Sequence, residues 1–259
     1  STDVDENDIS LTTTSGDITV NTINAGAVGD VSLSSAAAIN DDGSAGTLIT
    51  ADVLTATAVG AMTLDTSVNS INLETSAVGD IDVDETDAVT LTNITAENGS
   101  VTVHAGGAII ATSVVSSTDV DENDISLTTT SGDINVVTIT AGSLGDVSLT
   151  SAAAINDDGA AATLITAEDL ALRAATGIGS NDALDTVISN LAFTNNTSGD
   201  VNISNTGGLT IASVDGITSS NNTGGGVTLS ATSPVTFAVD LTASGNILVQ
   251  AIESAATDF

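Results

Sequence analysis

Cysteine, tryptophan and tyrosine are absent from this 259-residue chain, and phenylalanine occurs only three times. Without cysteine there is no disulfide framework. Enzymes and carbohydrate-binding clefts usually rely on aromatic side chains for rigid contact area. The core must instead consist of Val, Ile, Leu and Ala, and the branched members of this set favour β-strands.

Basic residues are almost as scarce: one Arg and no Lys face 34 Asp and Glu, which gives a formal net charge of −33. Nucleic acids and anionic lipids are recognised through Lys and Arg that neutralise phosphate. No apolar run approaches the roughly 18 residues of a membrane span. We therefore expect no nucleic-acid partner and no membrane insertion, and the acidic surface favours cations as ligands.

The chain contains a long internal repeat. Residues 117–167 match residues 1–51 at 43 of 51 positions, at an offset of 116 residues. This divides the chain into a first unit, 1–116, and a second unit, 117–259, with insertions near 176–190 and 214–224. The chain begins within its own repeat, so we expect it to be a piece of a longer protein in which the unit recurs beyond both ends.

A shorter repeat underlies the long one. An acidic or small-residue turn followed by an apolar-polar-apolar triplet recurs eleven times, about every 24 residues, as in Gly29–Leu33 and Gly145–Leu149. Alternation with a period of two predicts half-buried strands, with Gly and Asn-Asp-Gly at the corners. The pattern predicts an all-β fold, a parallel β-helix with three strands per coil and about eleven coils, five of them in the first unit. The alternative is two β-sandwich domains of about 116 residues each.

The repeats resemble a known group of proteins. Residues 16–20, 29–33 and 106–110 read Gly-Asp-Ile-Thr-Val, Gly-Asp-Val-Ser-Leu and Gly-Gly-Ala-Ile-Ile. These phrases are similar to the repeats of filamentous-haemagglutinin-type adhesins and other giant bacterial surface proteins. The resemblance implies a right-handed parallel β-helix that is exported to the cell exterior.

Clustered carboxylates are the candidate metal ligands. Calcium takes six to eight oxygen ligands in flexible geometry, which closely spaced Asp and Glu can supply, while a solvated acidic corner is the alternative. The Asn40–Gly43 and Asn156–Gly159 segments are predicted to be turns rather than ligands. The candidate structural Ca2+ sites are Asp3, Asp5, Glu6 and Asp8; Asp119, Asp121, Glu122 and Asp124; and Asp82, Asp84, Glu85 and Asp87.

No constellation in the sequence indicates catalysis. A polysaccharide-active β-helix enzyme needs an acid cluster joined by basic residues in one groove, and His104 and Arg173 are single residues of their kinds. Alternation places His104 on the outside of its strand, and Arg173 is expected on the surface.

We therefore expect a non-catalytic, extracellular or cell-surface segment that forms the rod or filament shaft of a bacterial adhesin or appendage. Its partners are expected to be neighbouring repeats or copies of itself, end to end, with any host or neighbouring-cell surface contacted by regions outside this segment. The alternatives are a polysaccharide-active β-helix enzyme and tandem cadherin-like or immunoglobulin-like calcium-binding modules.

Overall fold

A computed structural model describes residues 7–44, 46, 48–160 and 164–252, and these residues form an all-β solenoid of about 11 turns. Every pairing between named strands is parallel. The described residues contain no helix that could span a membrane. The strands are β1 Ile9–Thr12, β2 Ile18–Val20, β3 Ile23–Asn24, β4 Val31–Ser35, β5 Ile39–Asp41, β6 Ile49–Ala58, β7 Met62–Val78, β8 Ile81–Glu85, β9 Val89–Asn98, β10 Val101–Ala105, β11 Ile109–Ala111, β12 Val114–Ser116, β13 Ile125–Thr129, β14 Ile134–Val136, β15 Thr138–Thr140, β16 Val147–Thr150, β17 Ile155–Asp157, β18 Leu164–Thr166, β19 Asp169–Ala174, β20 Leu184–Val187, β21 Asn190–Asn195, β22 Val201–Asn205, β23 Leu209–Ile211, β24 Ser220–Asn222, β25 Val227–Ala231, β26 Val235–Phe237, β27 Leu241–Ala243 and β28 Ile247–Ala251.

The turns stack in three columns of paired strands, and the long strands β6, β7 and β9 each belong to more than one column. The first column runs from β1 through β4, β6, β7, β9, β12, β15, β18, β20 and β22 to β25 and β28. The second begins at β2, passes through β8, β10, β13, β16 and β19, and ends at β26 and β27. The third runs from β9 through β11, β14 and β17 and the bridge residue Ile178 to β22, β25 and β28, whereas β3 stacks through β6 and β7 on the end of β8, in the second column. This continuous stack excludes the alternative of tandem sandwich modules.

Inward side chains of every turn form one aliphatic core along the solenoid. In β10, for example, Val101, Val103 and Ala105 are buried, while Thr102 and His104 point outward. A single turn buries too few aliphatic groups to offset its loss of backbone entropy, so the turns stabilise one another through ladder hydrogen bonds and stacked side chains.

The 116-residue unit comprises five turns and one further strand, whereas the sequence pattern predicted five turns. Leu11 is five pairing steps below Val114, through residues 33, 56, 73 and 94. Leu127, the counterpart of Leu11, lies in the next strand, β13, and stacks on Val103 of the second column. Counterpart residues of the two units therefore lie on adjacent faces of the solenoid.

Glycines allow close approach between turns at one corner. A Cβ atom added to Gly99 would lie 2.3 Å from the carbonyl oxygen of Gly79 in the turn below. Gly60 occupies the next turn down, where an added Cβ would have its nearest neighbour at 3.6 Å. Only glycine fits at position 99 without moving the backbone.

Candidate functional site

The carboxylates that precede the strands connect successive turns. At eight of the positions where Asp immediately precedes an apolar strand residue, a carboxylate oxygen accepts a hydrogen bond from a backbone N–H of the next turn, whereas Asp52 and Asp169 accept from the side-chain amides of Asn69 and Asn190. The Asp124 carboxylate accepts from the Asp146 N–H at 3.0 Å, and the Asp146 carboxylate accepts from the Asp169 N–H at 3.2 Å. The eight acceptors are Asp8, Asp17, Asp30, Asp80, Asp124, Asp133, Asp146 and Asp200. These residues form what we call the aspartate ladder.

The aspartate ladder gives the Gly-Asp and Asn-Asp repeats a structural role that the sequence interpretation missed. Charge-assisted hydrogen bonds are about twice as strong as neutral ones, so each Asp helps to hold one turn to the next. Stacking also places the carboxylates near one another. Burial, followed by the charges of Asp169, Asp124 and Asp121, raises the pKa of Asp146 to about 6.

Three members of the first predicted calcium cluster, Asp3, Asp5 and Glu6, lie outside the described residues, and Asp8 belongs to the aspartate ladder. In the second cluster, Asp121 and Glu122 are exposed, and Asp124 belongs to the ladder. Asp119 accepts hydrogen bonds from the Ser143 hydroxyl and from the backbone N–H groups of residues 143 and 144, which lower its pKa.

Strand alternation separates the members of the third predicted cluster. Asp82 and Asp84 point outward from β8, and burial together with Asp84 raises the pKa of Asp82. Glu85 points inward, and Asp87 is exposed in the turn that follows. Among the described residues, no three His, Asp or Glu side chains converge in a geometry that could hold a metal ion. Calcium binding stays a prediction.

Glu85 is a buried carboxylate in a corner of the solenoid. Its side chain is part of a residue only 4% exposed, and it accepts hydrogen bonds from the Thr66 hydroxyl at 2.7 Å and from the N–H groups of Val68 and Asp87, each at 3.2 Å. Burial raises its pKa. The amide of Asn205 occupies an equivalent corner, where it accepts from the Thr186 hydroxyl at 2.9 Å and from the Ile188 N–H at 3.0 Å.

An open groove of about 480 Å³ lies on the outer face of the second column. Its lining includes Asp65, Asp84 and His104, which occupy successive rungs of the ladder. Burial and the neighbouring carboxylates, Asp41 first among them, raise the pKa of Asp65. His104 is 52% exposed at the side chain, as alternation predicted, and its Nδ1 lies 3.5 Å from Asp84 Oδ1. The groove combines carboxylates with one imidazole in open solvent.

Arg173, which the sequence interpretation expected on the surface, is half-buried and paired with Asp215. Its Nη1 lies 2.7 Å from Asp215 Oδ2, and its Nη2 donates to the Asp215 carbonyl. Asp215 also accepts from the Ser148 hydroxyl at 2.9 Å. These bonds outweigh burial and lower the pKa of Asp215.

Asp215 belongs to a small hairpin, residues 212–219, within the predicted insertion of the second unit. Asp215 and Gly216 have φ angles of 44° and 77°, as a type I′ turn requires. Val214 and Ile217 cover Ala171 and Ala192, which point outward from β19 and β21. The first unit has Thr57 where the second has Arg173, so the hairpin and its ion pair distinguish the two units.

Comparison of the chain with protein-family models, curated proteins and solved structures gives no match. The β-solenoid fold is compatible with a β-helix repeat region. That the chain is a filamentous-haemagglutinin-type repeat region stays a prediction, which is based on the resemblance of its short repeats.

Proposed function

We propose that this chain is a non-catalytic structural segment of a large extracellular protein, forming the rod or filament shaft of a bacterial cell-surface adhesin or appendage. The observation that carries the proposal is the uninterrupted solenoid of about 11 turns, with one aliphatic core along its length. At about 4.8 Å per turn, such a stack is about 50 Å long. The sequence resemblance to adhesin repeats supports the extracellular assignment.

The charge distribution supports a surface exposed to solvent and cations. The net charge of −33 over about 50 Å is a charge density similar to that of double-stranded DNA, which carries one charge per ~1.7 Å. Such a surface repels nucleic acid and anionic lipid headgroups, and it concentrates counterions along the rod. We include structural Ca2+ in the proposal as the cation that carboxylate oxygens favour.

The location is tested on the cells that make the protein. An antibody against this segment should label intact cells and their surface appendages, and protease added outside should remove the label. Label that appears only after the cells are permeabilised would contradict the extracellular shaft.

Calcium is tested by thermal unfolding of the 259-residue chain in calcium and in chelator, with magnesium at equal concentration as the control for general screening. A structural calcium ion should raise the melting temperature more than magnesium does. Equal melting temperatures in calcium, magnesium and chelator would remove calcium from the proposal.

Catalysis on polysaccharide is the second candidate, because the groove places Asp65 and Asp84 on adjacent rungs beside His104. Asp84 and His104 are exposed and Asp65 is half-buried, and Arg173, the only Lys or Arg of the chain, is paired with Asp215 elsewhere. We expect no release of reducing ends or unsaturated products from acidic or neutral polysaccharides. Turnover that is lost in Asp84→Asn and kept in the ladder variant Asp200→Asn would favour the enzyme.

A further inference from the structure

Three carboxylates lie above one another at the corner where strands β13, β16 and β19 begin. Each of them immediately precedes an inward strand residue, and those three strand residues are register partners in successive turns. The carboxylates therefore follow one another at the strand spacing of about 4.8 Å. We call these residues, Asp124, Asp146 and Asp169, the carboxylate stack. Its middle member, Asp146, is half-buried.

The hydrogen bonds of the carboxylate stack all run in one direction. Asp124 accepts from the Asp146 N–H at 3.0 Å, and Asp146 accepts from the Asp169 N–H at 3.2 Å. Asp169 in turn accepts from the side-chain amide of Asn190 at 2.6 Å. Each carboxylate is thus held toward the turn that carries the next one. The bonds that join the turns therefore bring like charges together, and repulsion between the carboxylates opposes those bonds.

The charged groups that face Asp146 are acidic on every side. Asp121 and Asp124 face it from the turn below, and Asp169 faces it from the turn above. Asp215 of the hairpin lines the same cavity, of about 290 Å³, as Asp124 and Asp146. The other acidic residues of these two corners are Glu122 and Glu168.

The two basic side chains of the chain are engaged elsewhere. Arg173 pairs with Asp215, and His104 lies against Asp84 on another part of the solenoid. Neither of them neutralises the carboxylate stack. A proton on Asp146 does reduce the repulsion, and the cavity beside the stack gives solvent access to this carboxylate.

The first unit has the same hydrogen bonds with one carboxylate fewer. The counterparts of the stack, in the same order, are Asp8, Asp30 and Val53. Asp8 accepts from the Asp30 N–H, and Asp30 accepts from the Val53 N–H, both at 3.1 Å. Valine in the third position shows that the turns stack without the third charge. The three-carboxylate arrangement therefore distinguishes the second unit from the first.

We propose that the carboxylate stack is a pH-sensitive clasp between three successive turns of the second unit, closed when Asp146 carries a proton and loosened when all three carboxylates are ionised. Protonated Asp146 keeps a carbonyl oxygen for the Asp169 N–H, while one of the three charges is removed. Ionised Asp146 has a carboxylate neighbour on each side, and their repulsion favours opening of the corner. The clasp goes beyond the proposed shaft function, because it does not depend on where the protein is located.

The raised pKa of Asp146 gives the direction of the effect. Burial, followed by the charges of Asp169, Asp124 and Asp121, raises this pKa from 3.8 to about 6. A group with a raised folded-state pKa stabilises the fold below its ordinary pKa, and this contribution is lost as pH rises through the folded value. The clasp should therefore hold near pH 4 and loosen as the pH rises to about 6 and above.

Native-state hydrogen exchange, followed by NMR, tests the clasp at single N–H groups. From pH 4 to pH 7, exchange corrected for the intrinsic rate should become about tenfold faster at the Asp146 and Asp169 N–H groups. Tenfold corresponds to one pKa unit, and the rest of the shift is discounted because solvent screens a half-buried group.

The matched control is the Ala154 N–H, which donates to the Asp133 carboxylate at 2.9 Å. Asp133 belongs to the same unit, but its register partners are alanines, Ala108 and Ala154. Exchange at Ala154 therefore reports the general effect of pH on a chain of net charge −33. Equal changes at Ala154, Asp146 and Asp169, or no change at Asp146 and Asp169, would overturn the clasp.

Two substitutions of Asp169 separate charge from side-chain shape. Asp169→Val installs the side chain of the first unit, and Asp169→Asn keeps an acceptor for the Asn190 amide. Both should lower the pKa of Asp146, measured from its carboxyl carbon by NMR, and both should reduce the pH dependence of exchange at the Asp146 N–H. Asp133→Asn should change neither. An unchanged pKa of Asp146 in both Asp169 variants, or an effect of Asp169→Val that Asp169→Asn does not share, refutes the proposal.

Discussion

The buried carboxylate of Glu85 supports a prediction about stability and pH. The residue is 4% exposed and its partners are the neutral donors of Thr66, Val68 and Asp87. Burial raises its pKa, which means that the folded protein holds this proton more tightly than the unfolded chain does. Wild-type stability should therefore fall as pH rises from the ordinary value of 4.5 through the higher folded pKa.

Glu85→Gln should remove this dependence while keeping one acceptor oxygen for the Thr66 hydroxyl and the Val68 N–H; its NH2 group takes the place of Oε1, which accepts from the Asp87 N–H in the wild type. The amide of Asn205 shows that the equivalent corner accepts an NH2 group, because it donates to the carbonyls of Ile188 and Gly208 at 3.2 and 3.0 Å. At pH 7 the variant should be more stable than wild type, by about 1.4 kcal/mol for each pKa unit of the shift. Below pH 4.5 the two proteins should converge.

Glu85→Ala separates the charge from the hydrogen bonds. It leaves the Thr66 hydroxyl and the Val68 N–H buried without their acceptor, at about 1–3 kcal/mol for each group, so this variant should melt below wild type at every pH. The assay is urea unfolding of all three proteins between pH 4 and 8, followed by circular dichroism. The reasoning is refuted if Glu85→Gln is less stable than wild type at pH 7, or if the difference between them does not change with pH.

Three further predictions concern the corner glycines, the aspartate ladder and the hairpin. Gly99→Ala should lower the melting temperature markedly, because its Cβ would meet a carbonyl oxygen at 2.3 Å. Gly60→Ala, whose Cβ would have its nearest neighbour at 3.6 Å, should change the melting temperature little. Equal melting temperatures for the two variants would contradict the close stacking at Gly99. Because the pKa of Asp146 is raised from 3.8 to about 6, its contribution to stability should fall as pH rises from about 4 to 6. Asp146→Asn should flatten this part of the pH–stability curve, and an unchanged curve would refute that. Asp215→Ala should free the hairpin from Arg173 and lower its local stability by about 1–3 kcal/mol. Proteolysis within residues 212–219 should therefore become faster. An unchanged cleavage rate would show that the ion pair does not hold the hairpin.

Much of the fold could be predicted from the sequence because its signals are local. Alternating Val, Ile and Leu with Ser and Thr determines which face of each strand is buried, and Gly and Asn-Asp-Gly determine the corners. The segment Asn40–Gly43 was predicted to be a turn; Asn40 and Asp41 end strand β5 instead, and the bend follows at Gly43, which has a φ of 77° and donates its N–H to the Asp41 carboxylate. The all-β solenoid of about 11 turns is confirmed.

Strand bounds were harder to predict where the chain bends without a turn residue. Strand β7, Met62–Val78, continues through corners that other turns mark with glycine or aspartate. Its path is set by pairing with the turns above and below it, and these partners are distant in sequence.

The sequence by itself determined the repeating strand, its inward and outward faces and the excess of carboxylates. Only the tertiary structure decided which carboxylates meet. In the folded chain Glu85 points into the core, Asp124 and Asp146 join successive turns, and Arg173 pairs with Asp215. Counterpart residues of the two units lie on adjacent faces of the solenoid, so the second unit is rotated by one face relative to the first. The physical reason is that a parallel solenoid brings together residues one turn apart. The length of a turn varies from 17 to 27 residues, so small differences in turn length decide which side chains meet.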